Sequence, residues 1–254
     1  MSKGLKIKGR VALVTGANRG IGLALVEALL ERGARKVYGG ARKPEALADL
    51  AGRSQGAVVP LRLDITDETD VKQAAQRAND VDLVINNAAV VGHGPFAPFE
   101  DPAWLTAAPR EYETNVLGAL RVSQSFAPVL ARQGGGTLVN ISSVAGLVGM
   151  TGMITYSATK AALHSLTQST REALQEQGTR VVGVYPGPVE TDMARDFNFP
   201  KASASSVANA ILDGLEQGLE EIYPDPLAQD FGAAYAVSPK SLEGRMAAAS
   251  AARD

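Results

Sequence analysis

The stretch Val11-Ala-Leu-Val-Thr15-Gly16-Ala-Asn-Arg-Gly20-Ile-Gly22 decides how the rest of the chain is read. Val11 to Val14 is a short unbroken apolar run, the pattern of a strand buried on both faces. Three glycines follow at once, and apolar residues then recur at helical spacing through Ile21, Leu25, Ala28 and Leu29. A strand, a tight glycine loop and a helix N-terminus together make an anion site. The backbone N–H groups point outward there, and the helix dipole favours negative charge such as a pyrophosphate. Gly16 permits the turn, while Gly20 and Gly22 let phosphate and strand come close.

Outward from this unit, strand and helix patterns alternate to the end of the chain. Strands are predicted at 36–40, 58–62, 81–85, 137–142, 180–185 and 221–223. Helices are predicted over 67–77, 109–133 and 153–177, with another beginning near Ser205. The expectation is one doubly wound sheet of about seven parallel strands with helices on both faces, a three-layer αβα arrangement. It spans 1–254 as a single domain, with 224–254 as a C-terminal tail. Ligands of such sheets bind at the carboxyl ends of the strands.

Composition removes several classes of function. The net charge is −2 with both signs interspersed, so neither nucleic acid nor an anionic membrane is an expected partner. The absence of cysteine excludes disulfides, thiol catalysis and cysteine–zinc centres. His93 and His164, the only two histidines, are too few for a histidine-based metal site or a serine triad, and no metal is expected. No apolar run reaches signal-peptide or membrane-span length, so a soluble, cytoplasmic protein is expected.

A second stretch carries chemistry. Asn140-Ile-Ser-Ser143 reads as a strand end, and Tyr156-Ser-Ala-Thr-Lys160 lies on the helix that follows. Tyr156 and Lys160 are four apart and share a helical face. A free phenol titrates at ~10, and a nearby ammonium is expected to draw it down towards the range of a general acid or base. Ser143, thirteen residues before the tyrosine, reaches the same point if strand end and helix start face one cleft.

Thr15-Gly16-x-x-x-Gly20-Ile21-Gly22, Asn86-Asn87-Ala88-Ala89, Thr114-Asn115, Ser143, Tyr156-x-x-x-Lys160 and Pro186-Gly187 occur in that order, over about three quarters of the chain. Together they resemble the short-chain dehydrogenase/reductase family, in its single-domain, Rossmann-type branch. Ala89 departs from the family's glycine. The resemblance implies a catalytic set of Asn115, Ser143, Tyr156 and Lys160, with Asn115 holding a water against the lysine in a local helix distortion. It implies that Asp64 meets adenine and that Val189 and Thr191 meet the nicotinamide carboxamide. Asp64 also suits a turn or helix cap, and Thr191 a cap. The expected cofactor set is Gly16, Asn18, Arg19, Gly20, Ile21 and Gly22 in the loop, then Arg42, Asp64, Ile65, Asn87 and Ala88 at strand ends. Tyr156, Lys160, Pro186, Gly187, Val189 and Thr191 complete it.

The second strand ends in Ala41-Arg42-Lys43, without the acidic residue that binds ribose hydroxyls in NAD sites. Arg19 and Arg42 instead suit a 2′-phosphate. NADP(H) is therefore the expected cofactor, with NAD(H) possible, and the expected reaction is reduction of a carbonyl or oxidation of an alcohol. A non-catalytic NADP-binding sensor or scaffold is the alternative. Phe96, Val144, Gly146, Leu147, Met150, Met153 and Met193 are expected to line an apolar substrate pocket under a short lid. The resemblance further implies a homodimer or homotetramer acting on a small-molecule carbonyl or alcohol.

Overall fold

The computed structural model of the protein describes residues 4–92, 103–195 and 200–251. At its centre β1 (Val11–Thr15) is buried along its whole length. Ala12 and Val14 feed one apolar cluster and Val11 and Leu13 the other, the period of two of a strand. A strand covered on both faces has no polar position to offer, hence its unbroken apolar sequence. It pairs with β2 (Lys36–Ala41) on one side and β4 (Leu83–Asn86) on the other. With β3 (Val58–Arg62), β5 (Thr137–Ile141), β6 (Arg180–Val184) and β7 (Glu221–Ile222), the order is β3-β2-β1-β4-β5-β6-β7. Every pairing is parallel. The order reverses between β1 and β4, and a crevice opens at their carboxyl ends.

Two helical layers cover the sheet. On one face α1 (Gly20–Glu31) and α7 (Ala204–Gln217) bury Leu25, Leu29, Val207 and Ile211, joined by Leu50 of the short α2 (Ala48–Arg53). On the other, α3 (Glu68–Arg77) and α5 (Ala119–Arg132) bury Val71, Val122, Phe126 and Leu130. Asp67 caps α3 by accepting from the N–H groups of Thr69 and Asp70. The long α6 (Ile154–Ala173) packs against β6 and α4 (Ala103–Tyr112).

Two elements differ from expectation. The helix expected to begin at Pro109 begins at Ala103, with Pro109 inside it on an exposed face. There water can take the carbonyl that proline leaves without an N–H. One π turn, Glu113–Gly118, then separates α4 from α5. The tail is also more ordered in kind than its composition announces. It forms α8 (Pro226–Val237), capped by Asp225, and α9 (Pro239–Ala251). Phe231 and Leu242 from this pair join Val144, Leu147, Val148 and Tyr185 in a third apolar cluster beyond the end of β5.

The sheet edges are short or interrupted. The outermost strand on one side, β3, carries Pro60 at its middle, and β7 on the other has two residues. No described helix is long and apolar enough to cross a membrane.

Candidate active site

The glycine loop is shaped by close approach. Gly16 and Gly20 have φ of 65° and 54°, in the left-handed region. A β-carbon on Gly16 would lie 2.9 Å from the Ala88 backbone, and one on Gly22 would lie 2.2 Å from the Gly16 carbonyl oxygen. Arg19, the residue before α1, makes no side-chain cap, which leaves the first N–H groups of that helix to an incoming anion. Asn87 stitches the loop to β4. Its Nδ2 donates to the carbonyls of Thr15 at 2.9 Å and Gly16 at 3.2 Å. The Thr15 hydroxyl accepts in turn from the N–H groups of Asn87 and Ala88, both at 3.0 Å.

The serine, tyrosine and lysine expected to act on protons lie across the crevice, where β5 ends and α6 begins. Ser142 and Ser143 diverge there. Ser142 is buried and donates to the Lys160 carbonyl at 3.0 Å. Ser143 is half-buried at the cleft; its hydroxyl donates to the Pro186 carbonyl at 3.3 Å and accepts from Ala145 N–H at 3.1 Å. Tyr156 is 9% exposed and Lys160 2%. The lysine Nζ donates to the Ile141 carbonyl at 2.8 Å and stands 5.5 Å from the centre of the Tyr156 ring.

This burial reverses the expected electrostatics. The Tyr156 phenol is pushed up to about 12, chiefly by burial; the Ser143 hydroxyl works against that shift and the charge of Glu111 adds to it. Burial likewise brings Lys160 down to about 7. In the protein alone, then, the lysine does not draw the phenol down. Desolvation is the leading cause of both shifts.

A buried polar chain holds these elements in register. Asn86 Nδ2 donates to Asn140 Oδ1 at 2.9 Å, and Asn140 Nδ2 donates to the Thr167 hydroxyl at 3.0 Å, linking β4, β5 and α6. Asn115 sits in the π turn with its amide fully used. It accepts from Val90 N–H at 2.8 Å and donates to the Val90 carbonyl at 2.8 Å and the Thr159 hydroxyl at 3.0 Å. It is 1% exposed, lies behind the cleft wall, and its side chain does not reach Lys160. Asn140, Thr159 and Thr167 were not singled out from the sequence, since only the fold aligns them.

The loop and the Ser143, Tyr156 and Lys160 group face a single cleft of about 1760 Å³. The expected cofactor residues border it, except Gly22, which packs beneath the loop. Asp64 borders it too, with Oδ1 already accepting from the Thr66 N–H and hydroxyl at 3.0 and 2.7 Å. Burial alone would raise the Asp64 carboxyl; the Thr66 hydrogen bonds and the charges of Arg42 and Arg62 bring it below its usual value. Val144, Met150, Met153 and Met193, expected to face substrate, also line the cleft. Gly146 and Leu147 do not. A β-carbon at 146 would meet the Lys160 carbonyl at 2.6 Å, and Leu147 is buried in the third apolar cluster. His93 and Phe96 lie outside the described residues. The sequence reading missed the far wall, where α8 and α9 contribute Leu227, Phe231, Leu242 and Met246. Its signal was the spacing, since Leu227 and Phe231, and Leu242 and Met246, are four apart.

A family model described as short chain dehydrogenase matches residues 10–201. An uncharacterised oxidoreductase of Staphylococcus aureus (strain USA300) is 33% identical over 216 residues, 82% of this chain and 91% of that one. A short chain dehydrogenase from Burkholderia cenocepacia J2315, solved in complex with NADP, superposes with a TM-score of 0.87 at 40% identity, covering 95% of this chain and 99% of that one. The NADPH-bound carbonyl reductase from chicken fatty liver superposes with a TM-score of 0.75 at 29% identity, covering 84% and 88%. With a glycine loop and a Ser143, Tyr156 and Lys160 group facing one cleft of the same sheet, the chain belongs to the short-chain dehydrogenase family of oxidoreductases.

Proposed function

We propose that the protein is an NADP(H)-dependent carbonyl reductase, running in reverse as an alcohol dehydrogenase, on apolar ketones or aldehydes. The observation that carries this reading is the convergence of the Ser143 hydroxyl, the Tyr156 phenol and the uncapped N-terminus of α1 on one cleft. The loop fits a dinucleotide, because its backbone lies bare where any β-carbon would clash. Gly20 and Ile21 would hold the pyrophosphate, Arg19 and Arg42 a 2′-phosphate, Asp64 and Ile65 the adenine, and Val189 and Thr191 the carboxamide. The NADP and NADPH complexes of the two solved relatives support this cofactor. When bound, the nicotinamide supplies or accepts the hydride.

The chain's own residues handle the proton. A phenol held at about 12 is protonated at neutral pH, so Tyr156 is ready to give its proton to a carbonyl oxygen. Ser143 donates a hydrogen bond to the same oxygen as charge grows on it, exchanging its long bond to Pro186 for a stronger one. Lys160, near neutrality in its own titration, returns the proton to Tyr156. Asn115 acts through the π turn rather than through its amide. Such a turn breaks the regular helical ladder, and a carbonyl freed there would hold the water through which Lys160 meets solvent.

The test is loss of reduced-nicotinamide absorbance with NADPH and NADH in parallel against a panel of apolar ketones. Turnover with NADPH far above NADH is expected. Tyr156→Phe is expected to lose more than about a tenfold factor in rate, or 1.4 kcal/mol of barrier, with NADPH affinity nearly unchanged. A variant that keeps its rate would remove Tyr156 from the role of acid.

A further inference from the structure

Arg19 stands beyond the end of β1, and its guanidinium is already engaged. Nη1 donates to Asp192 Oδ2 at 3.3 Å. Asp192 opens a short 3-10 turn, Asp192–Ala194, on the chain that leaves β6, and its other oxygen accepts from Arg195. The two segments touch, since a β-carbon on Gly20 would lie 3.0 Å from Thr191 Cγ2. Arg42 leaves β2, immediately beside β1, and Asp192 ends the segment that returns from β6 to the glycine loop. The ion pair therefore occupies the Arg19 guanidinium in the protein alone.

We propose that Asp192 is a counter-ligand of Arg19, a specificity-determining residue that withholds this guanidinium from a 2′-phosphate and so sets how strongly NADP(H) is preferred to NAD(H). The proposal rests on the assignment of Arg19 and Arg42 to the 2′-phosphate made above. A carboxylate and a phosphate compete for the same guanidinium fork, and the phosphate brings more charge and more acceptor oxygens. The exchange is easy from the protein's side. The two side chains are 60% and 52% exposed, so their pair is weak, and Arg195 stays on Asp192 when Arg19 leaves.

The experiment measures dissociation constants of NADPH and NADH by isothermal titration calorimetry for the wild type, Asp192→Asn, Arg19→Gln and the double variant. Removing a negative charge helps both dinucleotides, so the NADH arm carries that general effect. Asp192→Asn is expected to raise the preference for NADPH over NADH by about two- to fivefold, the range of an exposed ion pair, and to have no such effect in the Arg19→Gln background. A preference that Asp192→Asn leaves unchanged or lowers, while Arg19→Gln reduces it, overturns the counter-ligand role and keeps the cofactor reading. A preference untouched by Arg19→Gln overturns the assignment of Arg19 itself, and the role of Asp192 with it.

Discussion

A lysine that is 2% exposed and bonded to one carbonyl resists charging, and this has a signature in the stability of the protein alone. Its ammonium titrates at about 7 in the fold, against an ordinary 10.5 once unfolded. Between those values the unfolded chain binds a proton that the native state does not, so stability rises with pH. The contribution is fully present above the unfolded value and is lost as pH falls through about 7. Tyr156 acts in a separate window, because its raised phenol holds a proton in the fold until about 12. The stability of the wild type minus that of Lys160→Met, from urea unfolding without cofactor, is therefore expected to grow between pH of about 7 and about 10. The slope reaches at most about 1.4 kcal/mol per pH unit. A flat difference would mean that the lysine stays charged in the fold. The positions of Ser143, Tyr156 and Lys160 were legible because spacing along one strand and one helix is a local property. Their ionisation was not, because the burial that sets it comes from elements remote in the chain.

At the scale of elements, the glycine loop makes the sharpest demand. A methyl group on Gly22 would meet a backbone oxygen at 2.2 Å and the Asn87 amide nitrogen at 2.6 Å, and neither can retreat without breaking the stitch to β4. Gly22→Ala is expected to cost about 1–3 kcal/mol of stability, as overpacking does, and to weaken NADPH binding by at least about tenfold in the same calorimetric titration. Gly52→Ala in α2 has open space around its β-carbon and is expected to be neutral or slightly stabilising in thermal unfolding. The buried strands were readable almost to the residue, since a strand covered on both faces announces itself as an apolar run. The α4 boundary was not, because Pro109 looks like a helix start and its tolerance inside a helix depends on an exposed face. The π turn left one trace in the sequence, an asparagine on a packing face. Its reason, the Val90 backbone and Thr159 that Asn115 satisfies, lies 25 and 44 residues away.

For the whole molecule, the last two helices join the segment after β6 in walling the cleft. Met246 borders that wall half-buried, far in the chain from the glycine loop. Met246→Ala is expected to raise KM for long apolar ketones by about tenfold, the low end for lost apolar contact in a pocket, while NADPH affinity holds. Initial rates against ketones of increasing chain length would measure it, and equal KM values along the series would remove α9 from substrate selection. This wall was hidden in an alanine-rich tail, where two apolar pairs four residues apart are a faint signal. The ends of the sheet bear on how copies of the chain meet. Pro60 interrupts the donor row of one outer strand, and the other outer strand is two residues long. Neither rim offers a ladder on which a foreign or misfolded strand can grow. The protein is thereby guarded against edge-to-edge aggregation.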